Sequence, residues 1–235
     1  MIDRQVDEFW AAVFAVAVED LWADGVRVVV DAPGLHGYEG AYLLRLRDTC
    51  IVAVPTLALA RAREAVAGKT ADEIFTREFA ADLCPGSTDR VLGPCWHGYL
   101  PHSAPRLRGS ERARPLRRED EASLGRFREI VGEEAWAEAG FEPRPAVVWV
   151  LDDATGIVSA GNLGEFAGSP ADVGIVTRAD ARGQGLATAV VSAMCRATPS
   201  AMFRYRALES NLASLRVASR LGFRGRGANI AVRFK

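Results

Sequence analysis

From Val173 to Met194 the chain passes from a β-branched run into a turn holding Arg182, Gly183 and Gly185. A helix follows, with Leu186, Val190 and Met194 on one face. This order of strand, glycine turn and helix constrains the fold more than any other segment. Glycines at such a junction let backbone approach a ligand with no Cβ in the way. The first helical turn leaves N–H groups unpaired, and the macrodipole adds partial positive charge there. With the full charge of Arg182 added, the segment suits a pyrophosphate. A loop of the GxxxxGK[ST] type is excluded, because the turn holds no lysine. A dinucleotide GxGxxG is excluded as well. Gly183 and Gly185 would be its first two glycines, but Thr188 stands where the third belongs. Five residues, Arg178 to Arg182, separate the strand from Gly183, and only about 50 residues follow, too few for a doubly wound sheet.

The chain of 235 residues has room for one large domain or two small ones. Val6, Phe9, Trp10, Val13, Val16, Ala17 and Leu21 recur at helical spacing, which predicts a helix over residues 4–22. Residues 26–30 read as a strand, and 41–54 as two extended pieces broken near Arg47–Asp48. Helices are predicted over 55–67 and 70–83, the second opened by a Thr70–Glu73 cap signal. Short strands are predicted at 90–92 and 96–100, around Gly93–Pro94. The polar, basic, Pro-bearing residues 101–115 read as a linker. Beyond it come a strand at 114–118, a helix at 119–131, and strands at 146–151, 157–166 and 173–177. A helix at 182–196, a strand at 202–208, a helix at 210–221 and a strand at 230–234 complete the chain. Strands joined by short turns and then alternating with helices form a mixed sheet of the α+β kind.

The glycine turn resembles the acetyl-CoA signature of the GNAT superfamily, [QR]-x-x-G-x-[GA], through Arg182, Gly185 and Ala187. Asn211-Leu-Ala-Ser214, followed by Arg216-Val217-Ala218 and Leu221-Gly222-Phe223, resembles the later motif on that family's last helix. The resemblance covers residues 112–235 and looks nearest to members with an extra N-terminal domain. It implies a GNAT-type mixed, mostly antiparallel sheet flanked by helices over residues 106–235. A smaller N-terminal α/β domain would occupy residues 1–105. It also implies an N-acetyltransferase in which an amine attacks the thioester of acetyl-CoA directly. The backbone of Ile175, Val176 and Thr177 would pair with the pantetheine arm, and the N–H of Val176 would polarise the thioester carbonyl. The N–H groups of Gly183, Gln184, Gly185, Leu186, Ala187 and Thr188 would hold the pyrophosphate. Asn211 and Ser214, three apart on a helix, would contact the same cofactor; Asn211 is equally read as a plain helix cap.

For the general base, Asp172 is the nearest match to the carboxylate that relatives place near the start of the signature strand. Glu165 is the alternative. His97 is a third candidate if the N-terminal domain closes over the site. Trp96, His97 and Tyr99 each offer an apolar body with a polar edge, suited to lining an acceptor pocket or to core packing. Many relatives carry a tyrosine seven residues after the motif asparagine; here that position is Ala218. A thiol of pKa ~8.5 leaves tolerably as its anion, so the missing acid need not abolish turnover. Ser214 or water would stand in as acid. A non-catalytic acyl-CoA-binding regulatory or interaction protein is the alternative function.

With 29 basic and 30 acidic side chains, no broad pull on nucleic acid is expected. The basic stretch 106–118 lacks the interleaved aromatics of a nucleic-acid patch. The longest apolar run, Phe9 to Val18, is about half the ~20 residues a membrane span needs. A cytoplasmic location is expected. Cys50, Cys84, Cys95 and Cys195 form no CxxC pair, so no metal site is expected. The expected partner is a small-molecule or protein amine, and a homodimer contact is one use for the N-terminal domain.

Overall fold

The structure, a computed structural model, describes residues 2–84, 88–101, 109–142, 145, 147–168, 171–198 and 202–234. In chain order its elements are α1 (Ile2–Phe14), β1 (Gly25–Val30), β2 (Gly40–Leu46), β3 (Thr49–Val54), α2 (Leu59–Val66), α3 (Ala71–Ile74), α4 (Arg77–Asp82) and β4 (Thr88–Tyr99). They continue with β5 (Arg114–Pro115), α5 (Glu121–Val131), α6 (Glu133–Glu138), β6 (Val148–Asp153), β7 (Gly156–Glu165) and β8 (Ala171–Thr177). Last come α7 (Leu186–Ala197), β9 (Phe203–Leu208), α8 (Leu212–Leu221) and β10 (Arg224–Phe234).

The chain forms two compact units, and they are not the contiguous halves expected. The first takes Met1–Tyr99, Arg206–Leu212 and Gly225–Lys235; the second takes Leu100–Tyr205 and Ala213–Arg224. The reason lies in strand pairing: β10 is an antiparallel partner of β2, from Ala228↔Arg45 to Arg233↔Gly40. The expected boundary at 105/106, and residues 102–108 of the expected linker, fall outside the described residues.

In the first unit the strand order is β1-β3-β2-β10-β4, with the end of β9 beyond β4. β1 runs parallel to β3, whereas β2 and β3 form an antiparallel hairpin. Leu43, Cys50, Val52, Ile74, Leu83, Ile230 and Val232 form one buried cluster. The predicted helix over 4–22 stops at Phe14, because Ala15 takes a left-handed φ of 52°. The predicted helix over 70–83 is two helices. Thr70 and Glu73 form a reciprocal capping box on α3, and the Thr76 hydroxyl accepts the Phe79 N–H to start α4 anew. β4 is a single strand through Gly93–Pro94 rather than two.

In the second unit the order is β5-β6-β7-β8, followed by the start of β9. Every pairing there is antiparallel except the parallel one between β8 and β9. One sheet face is covered by α5 and α6, where Leu124, Phe127, Trp136, Phe141, Val150, Ala160 and Val176 are buried together. The other face is covered by α7. It approaches closely because Gly161 has no side chain: a Cβ there would lie 2.9 Å from Met194 Cε. Mixed, mostly antiparallel pairing flanked by helices is the α+β class expected. Among the described residues no helix is long and apolar enough to cross a membrane.

Candidate functional site

The site begins where β8 leaves the sheet. Among the described residues β8 and β9 share two registered positions, Ala171↔Phe203 and Asp172↔Arg204, and no later one. On its other side β8 stays paired with β7 from Glu165↔Ala171 to Ser159↔Thr177 with no register shift. The Arg178 N–H donates to Val158 O, 3.0 Å away, which fixes the parity of that ladder. In an antiparallel pair, hydrogen-bonded positions alternate. Gly174 and Val176 therefore direct their peptide groups to β7. Val173, Ile175 and Thr177 direct theirs to the opposite edge. The Arg182 Nε–H donating to Thr177 O at 3.3 Å agrees with this assignment. The polarising role expected of the Val176 N–H is thus corrected, since that N–H belongs to the β7 ladder opposite Ala160. Ile175 and Thr177 carry open-edge groups past the last position paired with β9.

The turn after β8 is built on two left-handed glycines, Gly183 (φ 79°) and Gly185 (φ 77°). A Cβ on either would meet nothing within 4 Å, so these glycines serve the backbone turn and leave open space beside it. Arg182, Gly183, Gln184 and Gly185 are exposed; Ala187 and Thr188 are half-buried. The first helical bond of this region is Ala189 N–H to Gly185 O at 3.0 Å. The N–H groups of residues 183–188 make no hydrogen bond among the described residues. They form a row of donors at the positive end of a twelve-residue helix.

Asp172 is not the loosely held surface carboxylate that its place in the sequence suggests. Both of its oxygens accept from Arg204, from Nε to Oδ1 and from Nη2 to Oδ2 (2.5 Å). The Arg204 side chain is 1% exposed and Asp172 is 25% exposed. The guanidinium also lies over the Phe166 ring, 4.1 Å from its centroid. Glu165 is exposed at the end of β7. Its register partner is Ala171, while Asp172 pairs with Gly164. Side chains alternate along a strand, so Glu165 and Asp172 point to opposite faces and do not converge.

Ser214 is half-buried on α8, and its Oγ lies 3.0 Å from the Tyr205 hydroxyl. Burial pushes the Tyr205 phenol above its usual pKa, and the Ser214 hydrogen bond partly offsets this. Ala218 is fully buried on the same helix. Asn211 is exposed and directly precedes α8, in the first compact unit. In that unit His97 is fully buried, stacked on Trp10 with ring centroids 5.5 Å apart. Its Nε2 donates to Asn229 Oδ1 at 2.7 Å. Tyr99 is 1% exposed, and its hydroxyl accepts from Trp10 Nε1 at 2.9 Å. Two of the three residues expected to line an acceptor pocket, His97 and Tyr99, are therefore core residues of the first unit. Trp96 is half-buried across Gly98 and Gly225.

Sequence reasoning missed Arg204, Tyr205 and a buried amide. Asn162 is 1% exposed, and its Nδ2 donates to Ala139 O at 2.8 Å, tying the end of α6 to the sheet. Gly174 makes that contact fit: a Cβ there would lie 2.0 Å from Ala139 O. An asparagine within the apolar strand was the signal available. Among the described residues no cluster of His, Cys, Asp or Glu could hold a metal ion.

No curated protein matches the chain. Among solved structures, one from Novosphingobium aromaticivorans DSM 12444, described as an acetyltransferase from the GNAT family, superposes with a TM-score of 0.50 at 19% identity. The alignment covers 63% of this chain and 66% of that one. A GNAT-family acetyltransferase from Colwellia psychrerythraea matches at TM-score 0.48 and 18% identity, over 65% of this chain and 60% of that one. The chain thus spans less than two thirds of either relative, and at 19% identity the first likeness concerns the fold. The family model described as "Acetyltransferase (GNAT) domain" matches residues 104–224, just over half of the 235 residues. The chain belongs to the GNAT acetyltransferase family.

Proposed function

We propose that the chain is an N-acetyltransferase that moves an acetyl group from acetyl-CoA to an amine by direct attack on the thioester. The observation that carries this reading is the row of N–H groups at residues 183–188 that make no hydrogen bond among the described residues, beside the open edge of β8. The residues present fit the co-substrate. The amides of Gly183, Gln184, Gly185, Leu186, Ala187 and Thr188 would hold its pyrophosphate, with Arg182 adjacent. The open-edge groups of Ile175 and the Thr177 N–H would pair with the pantetheine arm, and Ser214 would contact the cofactor from α8. When bound, acetyl-CoA supplies an activated acyl thioester. The Ile175 N–H takes over from Val176 as the donor aimed at the developing oxyanion.

A lysine-like amine of pKa ~10.4 is neutral in roughly one molecule in 2,500 at pH 7, so a base worth ~10²–10⁴ in rate is useful. Asp172 is the candidate on the α5–α6 face and Glu165 the candidate on the other face. The Ser214 hydroxyl is the candidate donor to the departing thiolate, in place of the tyrosine that Ala218 lacks. The acceptor is a small-molecule or protein amine.

The clamp on Asp172 favours a second reading, a non-catalytic acyl-CoA-binding protein, since both carboxylate oxygens are already engaged by the Arg204 guanidinium. Thiol release from acetyl-CoA across a broad amine panel separates the two. Amine-dependent release supports the acetyltransferase. Tight acetyl-CoA binding without any release, at every pH tested, would leave the regulator.

A further inference from the structure

Tyr205 follows Arg204, the last residue of β9 registered with β8 among the described residues. Its phenol therefore stands where the two strands stop pairing. Side-chain alternation sends Tyr205 to the face covered by α7, opposite the face of Asp172 and Arg204. The glycine turn leads into α7, so the phenol shares the face expected to receive the cofactor. The ring is 1% exposed and packs edge-on against Phe223 with centroids 5.3 Å apart. Its hydroxyl reaches Ser214 Oγ at 3.0 Å, and Ser214 is itself partly open to solvent. Ala218 lies four residues after Ser214, on the same stripe of α8, and is fully buried. A small residue there is compatible with a phenol arriving from the sheet rather than from the helix.

We infer that Tyr205 is a positioning residue that holds the Ser214 hydroxyl toward the leaving sulfur and reloads it with a proton. The inference rests on the acetyltransferase reading above. As the amine nitrogen bonds to the acyl carbon, the carbon–sulfur bond breaks and its electron pair goes to sulfur. Ser214 Oγ gives its proton to that sulfur and takes the Tyr205 phenolic proton. The phenolate is reprotonated from water, which balances the proton lost by the amine. Burial keeps the phenol protonated at neutral pH, so the relay starts loaded.

The test compares wild type, Tyr205→Phe, Ser214→Ala and the double variant by thiol release from acetyl-CoA with a productive amine. Tyr205→Phe keeps the ring against Phe223, and Ser214→Ala lies at a partly exposed helix position. The expected result for Tyr205→Phe is a kcat lower by about tenfold or more, near the low end of proton-transfer effects, with KM for acetyl-CoA within about twofold. The alkaline limb of the pH–rate profile should move as well, which a packing defect would not do. In the Ser214→Ala background, Tyr205→Phe should change kcat less than about twofold, because residues acting as a unit are not additive. An active wild type with an unchanged Tyr205→Phe would overturn the relay alone. So would a further tenfold loss in the double variant. A wild type that binds acetyl-CoA but releases no thiol with any amine would remove the acetyltransferase reading, and the relay with it.

Discussion

Replacing Asp172 with asparagine should cost stability before it costs chemistry. The substitution removes one charge of a pair whose other member, Arg204, has a side chain only 1% exposed. Breaking a buried pair by removing one partner costs about 3–5 kcal/mol, because the remaining charge stays desolvated. Two features pull toward the lower end. Asp172 is 25% exposed, and the Phe166 ring still faces the guanidinium, a contact worth about 0.5–2 kcal/mol. The expected loss is about 3 kcal/mol, set against a total of about 5–15 kcal/mol for a typical protein. Urea unfolding of Asp172→Asn, Arg204→Met and the double variant measures it. The double variant should recover most of the loss, since an apolar side chain in place of the cation leaves nothing to pair. Additive single effects, within about 0.5 kcal/mol, would refute the argument. The result also bears on catalysis: a slow Asp172→Asn enzyme implicates the carboxylate as base only under conditions where the variant is shown to be folded.

Gly185→Trp should lower acetyl-CoA affinity by about 100-fold or more while costing only the roughly 1–2 kcal/mol of a left-handed non-glycine residue, as read by calorimetric titration and a thermal melt. Unchanged affinity would defeat the anion-site assignment. Gly174→Ala should destabilise by about 1–3 kcal/mol, because its Cβ would meet Ala139 O at 2.0 Å; an unaltered melting temperature would show that α6 is not held as described. Hydrogen bonds from Arg114, then from the Arg117 N–H, hold the Asp120 carboxyl at about 2 against a usual 3.8. The stabilisation linked to Asp120 is therefore complete above the usual value and lost as pH falls through about 2, which a carboxyl NMR titration checks. Burial pushes the Cys50 and Cys195 thiols up to about 12, so both should resist alkylation at pH 8 in the folded protein and react on unfolding; labelling without denaturant would contradict this.

The strand–turn–helix at 171–197 was legible because glycines, an arginine and an apolar stripe fall within one short window. What was not legible depends on partners far along the chain. Asp172 is defined by Arg204, 32 residues later, and His97 by Trp10 and Asn229. The direction of the Val176 peptide depends on ladder parity, which a one-residue slip against β7 would reverse. Composition carries no trace of that parity. The last strand was expected only over residues 230–234, with nothing assigned to 224–229. Yet β10 runs through them, and a Cβ at Gly225 would lie 2.7 Å from Trp96 Nε1. The six-residue α6 was too short for periodicity to reveal.

The membership of β10 in the first compact unit bears on how the protein is made. During synthesis β2 is made well before its partner, and its hydrogen-bonding edge waits for Ala228–Arg233, far downstream in the chain. Until then an unpaired strand edge stays open to the wrong neighbour. A nascent chain stalled before residue 228 should therefore be a better substrate for holding chaperones than a chain that includes β10. A cut after residue 205 should leave neither fragment able to complete its own sheet.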